Sequence, residues 1–219
     1  MSVTVDLHHH VIPDFYWEAS NEDGNAAGGI NPPPWSLDGA IAYLDEARID
    51  VAVPSISTPG VHLGDDGAAR TLARRVNEYL ADLKRDRPDR FGGFAALPLP
   101  DVEGSLDQIE YAFDVLELDG VSMMTNAGGS YLGDGRFDPI FAELQCRAAV
   151  VFVHHSVPRS GRPHPRSPGH APRLPRRHVA RDREASLQQH VRPNAGRQVR
   201  VRACRRHDSL PRLALCDRR

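Results

Sequence analysis

The stretch VDLHHHVIP, residues 5–13, ends an apolar run with three consecutive histidines that follow an acid. Imidazole is the commonest side-chain ligand for zinc and similar divalent ions. Because alternate side chains of a β-strand lie on the same side, His8 and His10 are predicted to face one ion. His9 is out of phase and is predicted to point away. Asp6 has the parity of His8 and could orient a ligand or approach the ion itself.

A surface cluster or the remnant of an expression tag would also contain consecutive histidines. This triplet, however, continues an apolar strand, and the pair His154 and His155 follows a second apolar run, AVVFV. A single buried histidine is more often a packing residue than a ligand. The position of His154 at the end of another strand is what favours a metal site shared with the triplet.

Residues 1–155 alternate short apolar runs with amphipathic segments, a rhythm typical of βα units in a parallel sheet. The expected strands are VTVDLH, DVAVPSIS, FGGFAALPL, GVSMMTN and AVVFVHH. The expected helices are LDGAIAYLDEA, AARTLARRVNEYLADLKRD, SLDQIEYAFDVL and FDPIFAELQCR, the first of them capped by Ser36. In a (β/α)8 barrel the carboxyl ends of the strands converge on one mouth, so the histidines would meet there. A doubly wound sheet is the alternative fold, but no GxGxxG follows any strand.

Two of these segments resemble a known family. VDLHHHVIP carries the D-x-H-x-H pattern of the amidohydrolase superfamily, and VFVHHSVP resembles the fifth strand of its amidohydrolase-related branch. That branch includes amino-carboxymuconate-semialdehyde decarboxylase and the 6-methylsalicylate decarboxylases. DRFGGFAALPLPD and YLGDGRFDPIFAEL add to the resemblance, which covers residues 3 to about 158. It implies a TIM-like (β/α)8 metal-dependent hydrolase barrel of which about the first half, β1 to β5, is present.

The resemblance implies that His8, His10 and His154 bind a single divalent ion, expected to be zinc, and that the substrate is a small carboxylic acid. Residues 17–47 contain no arginine, whereas the semialdehyde decarboxylase has a substrate-binding arginine in the matching region. This difference favours a phenolic acid such as 6-methylsalicylate. Non-oxidative decarboxylation is the expected reaction. Metal-dependent hydrolysis of an amide, lactone or ester is the alternative, because both reactions use a polarising ion.

The carboxyl-terminal segment has a different composition from the rest of the chain. Residues 1–158 contain 10 Lys and Arg against 25 Asp and Glu, whereas residues 159–219 contain 17 arginines, four acids and no Phe, Trp, Tyr, Ile, Met or Lys. Such a segment cannot bury a core, so an irregular, disordered basic tail that trypsin cleaves early is expected. Binding of this tail to nucleic acid is an alternative that the lack of aromatic residues disfavours.

An excess of Arg, Pro, Ala and His is also what GC-rich coding DNA yields when it is read out of frame. Back-translated and shifted by one base, residues 186–211 permit a sequence that contains FAHAGG and resembles the family's sixth strand. The family's histidine after the sixth strand and its aspartate after the eighth have no counterpart in the tail as written. We therefore expect a frame shift near Pro158 and an inactive chain.

The sequence also leads to expectations about the location and the assembly of the protein. The chain has neither a cationic start followed by an apolar signal region nor an apolar run long enough for a membrane span, which predicts a cytoplasmic protein. The resemblance allows a homodimer for the intact family member.

Overall fold

The computed structural model describes residues 3–20 and 34–156. Its elements are β1 (Val5–His10), α1 (Asp14–Ser20), α2 (Leu37–Glu46), β2 (Val51–Ser55), α3 (Asp66–Asp86), β3 (Phe94–Ala96), α4 (Val102–Glu110), β4 (Gly120–Met124), β5 (Asn126–Ala127), β6 (Ser130–Tyr131), α5 (Asp138–Cys146) and β7 (Val150–His154). A π-helical turn, Tyr111–Val115, continues α4, and a 3-10 turn, Gly135–Phe137, precedes α5. The predicted basic tail, residues 159–219, lies outside the described residues. No helix within the described ranges is long and apolar enough to cross a membrane.

The long strands form a parallel arrangement that follows the order of the chain. β1 pairs with β2, and β3, β4 and β7 form a three-stranded sheet. A parallel bridge between Ala52 and Phe91 connects the two parts. The resulting order, β1-β2-β3-β4-β7, is that of the first five strands of a (β/α)8 barrel. In a doubly wound sheet the spatial order of the strands reverses at a switch point, whereas the described strands follow one another in chain order.

All four predicted helices are present, and three of them begin at a residue whose side chain accepts a backbone N–H. The hydroxyl of Ser36 accepts the N–H of Gly39, and the carboxylates of Asp65 and Asp101 do the same for α3 and α4. Each cap satisfies one of the N–H groups that a first helical turn leaves free. Because Asp65 is the N-cap, α3 begins at Asp66, two residues before Ala68, where the apolar pattern predicted its start.

Two short elements are absent from the sequence-based expectation. α1 has only seven residues. The β5–β6 hairpin turns at Gly128 and Gly129, which have φ values of 55° and 81°. Segments this short contain too few residues for a periodic apolar pattern.

The sheet has one side against the helices and one side facing the barrel interior. On β4, Val121 and Met123 are buried beneath the helices with the apolar residues of α3. Phe94 of β3 and Phe152 of β7 are on the other side, where their rings stack with 5.9 Å between centroids. Since side chains alternate along a strand, every second residue of β3, β4 and β7 faces the interior.

Asn77 connects α3 to the sheet. It is completely buried, its Nδ2 donates to the carbonyl oxygen of Ala96 and to Oε1 of Gln108 at 3.1 Å each, and its Oδ1 accepts the N–H of Ala96 at 2.7 Å. This amide therefore satisfies both backbone groups of the last residue of β3. It also holds α4 in position against α3.

We predict that Asn77→Ala lowers the free energy of unfolding by about 2–4 kcal/mol, because Ala96 would keep a buried N–H and a buried carbonyl without partners. Urea unfolding followed by circular dichroism measures the change. Asp82→Ala on the same helix is the control, since it removes only an exposed ion pair with Arg85 and should change stability by less than about 1 kcal/mol. Equal stability of the two variants would contradict the role given to Asn77.

Candidate metal centre

The three predicted histidines meet in the barrel interior. His8 and His10 come from β1 and His154 from the end of β7, and their ligand nitrogen atoms all lie within 4.8 Å of one another. The ring centroids are 4.9 Å apart for His8 and His10, 5.2 Å for His8 and His154, and 4.9 Å for His10 and His154. β1 and β7 are the two edges of the described sheet, so its curvature is what brings these rings together.

A bulge in β1 determines which way each side chain of the triplet points. Between Asp6 and His9, β1 advances three residues while β2 advances two. One carboxylate oxygen of Asp6 accepts the backbone N–H of His8 at 3.0 Å, and the other lies 3.3 Å from Nδ1 of His9. The expectation that His9 points away from the cluster is confirmed. Asp6, for which orienting a ligand and approaching the ion were both expected, bonds to His9 and to the backbone of His8, and the extra residue of the bulge changes its parity relative to His8.

The surroundings of two of the three rings, His10 and His154, disfavour their charged form. Nδ1 of His10 lies 3.3 Å from the carbonyl oxygen of Ser55. A carbonyl only accepts, so Nδ1 carries the proton and the lone pair of Nε2 is left for a ligand. Burial, followed by the neighbouring His154, lowers the pKa of His10 to about 4, and burial lowers the pKa of His154 in the same direction. Neutral imidazole is the form that binds metal, and a lowered pKa favours that form for His10 and His154.

A divalent metal fits this cluster. Nδ1 of His154 is buried and has no hydrogen-bond partner among the described residues. An unpartnered buried polar group costs about 1–3 kcal/mol, a cost that a ligand can remove. Imidazole nitrogen suits zinc and other divalent transition metals, and three such donors leave positions open on the ion.

A mostly apolar cavity lies at the same end of the strands as the histidines, although none of the three lines it. Met124, which pairs with His154, is part of its lining. The ring centroid of Phe152 is 5.3 Å from that of His8. The cavity measures about 340 Å³ and opens at the carboxyl ends of β2, β3 and β4. Its lining includes Ile56, Leu97, Ser122 and Met124. This size is at the small end of ligand pockets and suits a single-ring molecule.

Sequence reasoning missed three of these features. Phe152 has the parity of His154, and that signal could have placed it in the interior. The carbonyl of Ser55 and the hydroxyl of Ser122 have no sequence signature, because their roles depend on which residue of a neighbouring strand they face.

Parallel strands in barrel order with imidazoles converging inside their carboxyl ends define a class, the metal-dependent (β/α)8 proteins. Within that class the family model described as Amidohydrolase matches residues 5–206, and the chain belongs to this amidohydrolase family. The matched range includes residues on both sides of Pro158. The frame shift and the division into residues 1–158 and 159–219 stay predictions.

Several curated relatives and solved structures resemble the chain over its amino-terminal part. The decarboxylase yanB of Aspergillus niger is 37% identical over 68% of this chain and 42% of its own length. The 6-methylsalicylic acid decarboxylase acuB of Aspergillus aculeatus is 37% identical over 71% of this chain and 48% of its own length. The chain thus spans somewhat less than half the length of these relatives.

A crystal structure of 5-carboxyvanillate decarboxylase from Novosphingobium aromaticivorans is 27% identical, with a TM-score of 0.63 over 70% of this chain and 51% of that one. That structure contains manganese and 3-methoxy-4-hydroxy-5-nitrobenzoic acid. The crystal structure of an amidohydrolase II protein is 28% identical, with a TM-score of 0.68 over 71% of this chain and 51% of that one. The fold of the described residues is therefore that of amidohydrolase barrels.

We predict that the chain binds Zn²⁺ or Mn²⁺ and that the ion raises its melting temperature, because an ion held by β1 and β7 connects the two edges of the sheet and stabilises only the folded state. The double variant His8→Ala/His10→Ala should lose the binding in isothermal titration and the thermal shift in a melting experiment. His9→Ala is the matched control and should keep both. Equal loss of binding in the His9 variant would contradict the assignment.

We further predict that, with a chelator present, the free energy of unfolding decreases as the pH falls from about 6.5 towards 4. In this interval unfolded His10 takes up a proton, whereas folded His10, with its pKa lowered to about 4, does not. His10→Asn should reduce this slope relative to the unsubstituted chain, as measured by urea unfolding at several pH values. Parallel pH profiles for the two chains would show that His10 is not held neutral by the fold.

Proposed function

We propose that the chain is the amino-terminal part of a metal-dependent non-oxidative decarboxylase that acts on an aromatic carboxylic acid of the 6-methylsalicylate type. The observation that carries this proposal is the convergence of His8, His10 and His154 beside an apolar cavity. Identity of 37% to a 6-methylsalicylic acid decarboxylase supports the substrate class. The activity belongs to the whole protein, of which this chain matches about one half.

In this proposal the three imidazoles hold one divalent ion. Zinc is the ion that an all-imidazole set favours, whereas manganese is the ion bound in the Novosphingobium relative. When bound, the ion would polarise an oxygen of the substrate and so stabilise negative charge that develops during loss of carbon dioxide.

The remaining residues of the site orient the histidines and give them an apolar surface on one side. The Ser55 carbonyl fixes the ring of His10, and the Asp6 carboxylate fixes the backbone at His8. The stacked rings of Phe94 and Phe152 form an apolar floor beneath the histidines.

Decarboxylation also needs a proton for the ring carbon that loses carbon dioxide. The family resemblance implies a histidine after the sixth strand that handles protons or orients water, and this histidine is recovered here only in the shifted frame. We therefore propose that the chain as written does not turn over. The predicted cytoplasmic location and the homodimer of the intact member remain expectations.

We predict that the chain as written, supplied with Mn²⁺ or Zn²⁺, releases no carbon dioxide from 6-methylsalicylate. A gene with one base removed near codon 159 should encode a longer chain that does release it, measured as ¹³CO2 from carboxyl-labelled substrate. Replacing His154 by Ala in the longer chain should abolish the release. Cleavage of esters or lactones without carbon dioxide release would favour the hydrolase instead.

A different result would contradict the predicted frame shift. If the restored frame soon meets a stop codon, or encodes no histidine and aspartate after later strands, the tail as written is genuine. Salt-dependent binding of the tail to nucleic acid would then be the hypothesis to test.

A further inference from the structure

Ser122 occupies the middle of β4 and faces the barrel interior. It lies opposite Ala96 on β3 and Phe152 on β7 in the parallel register. Residues paired in a sheet point to the same side, and the ring of Phe152 is beside His8. The side chain of Ser122 is therefore on the same side of the sheet as the histidine cluster, one strand away from His154.

The hydroxyl of Ser122 makes no hydrogen bond to the described residues. The residue is 6% exposed, and its Oγ is buried without a hydrogen-bond partner among the described residues. Buried Ser105 differs, because its hydroxyl donates to the carbonyl oxygen of Asp101 at 2.6 Å. A buried hydroxyl without a hydrogen-bond partner is destabilising. A ligand that accepts a hydrogen bond from it removes this cost.

Ser122 also lines the cavity beside the metal centre. Ala96 and Ser122 are small, and they leave space between the larger Leu97 and Met124. The polar residues Asn126 and Ser156 at the cavity already bond to each other, with Nδ2 of Asn126 donating to the Ser156 hydroxyl at 2.8 Å. The Ser55 hydroxyl is likewise buried and unpartnered among the described residues, but Ser55 is not part of this lining.

We propose that Ser122 is a substrate-binding residue whose hydroxyl donates a hydrogen bond to an oxygen of the aromatic acid within the cavity. This inference rests on the proposed function, because it names a contact in the same site. An ortho-hydroxy aromatic carboxylate has three oxygens close together, so one can accept from Ser122 while others face the ion. The apolar lining contacts the ring, and the hydroxyl fixes its orientation.

The test is ligand binding and thermal stability of Ser122→Ala in the full chain loaded with Mn²⁺. The dissociation constant of 6-methylsalicylate, measured by isothermal titration, should increase about tenfold or more, which is the loss expected for a hydrogen bond to a charged oxygen. The melting temperature of the ligand-free variant should stay the same or rise, because an unpartnered polar group is removed. Titration with 2-methylbenzoate and with 3-methylphenol identifies whether the carboxylate or the phenol accepts the bond.

Ser105→Ala is the matched control and should behave in the opposite way. It removes an equally buried hydroxyl that has a partner, so the melting temperature should fall while the dissociation constant stays unchanged. The proposal is overturned if Ser122→Ala binds 6-methylsalicylate as tightly as the unsubstituted chain, or if it loses stability as Ser105→Ala does. If the unsubstituted chain binds none of the three probes, the aromatic-acid site itself is refuted, and so is the role proposed for Ser122.

Discussion

The imidazole rings of His8 and His154 meet across the barrel interior, with 5.2 Å between their centroids, although their strands are the opposite edges of the described sheet. No backbone hydrogen bond joins these two strands to each other in that sheet, so the curvature of the intervening strands alone sets this distance. The curvature depends in turn on how firmly the helices pack against the strands. The buried amide of Asn77, which satisfies both backbone groups of Ala96, is one such attachment.

Several polar groups of the interior are kept in states that a purely structural core would avoid. Nδ1 of His154 and the hydroxyls of Ser55 and Ser122 are buried without partners among the described residues, and the pKa of His10 is lowered to about 4. Each of these features costs stability in the free protein. These groups are on the side of the sheet where the histidines converge, whereas a fourth unpartnered buried atom among the described residues, Nε1 of Trp35, belongs to a ring that packs against Tyr79 of α3.

The described residues form the first five strands of an amidohydrolase barrel. β7 pairs with β4 on one side and with no described strand on the other. An exposed strand edge is unfavourable in isolation, and in a closed barrel the following strand would cover it. The relatives, which are about twice as long as the matched part, have chain for such strands.

The sequence by itself determined the features that depend on local periodicity. Alternation placed His8 and His10 together and His9 apart, the end of an apolar run identified His154, and caps such as Ser36 marked where helices begin. Only the tertiary structure decided the side on which Asp6 lies, because a bulge exists only relative to the partner strand β2. The same holds for the Ser55 carbonyl and the Ser122 hydroxyl, whose neighbours are fixed by the register between strands. Register is a relation between distant segments, and no pattern within one segment specifies it.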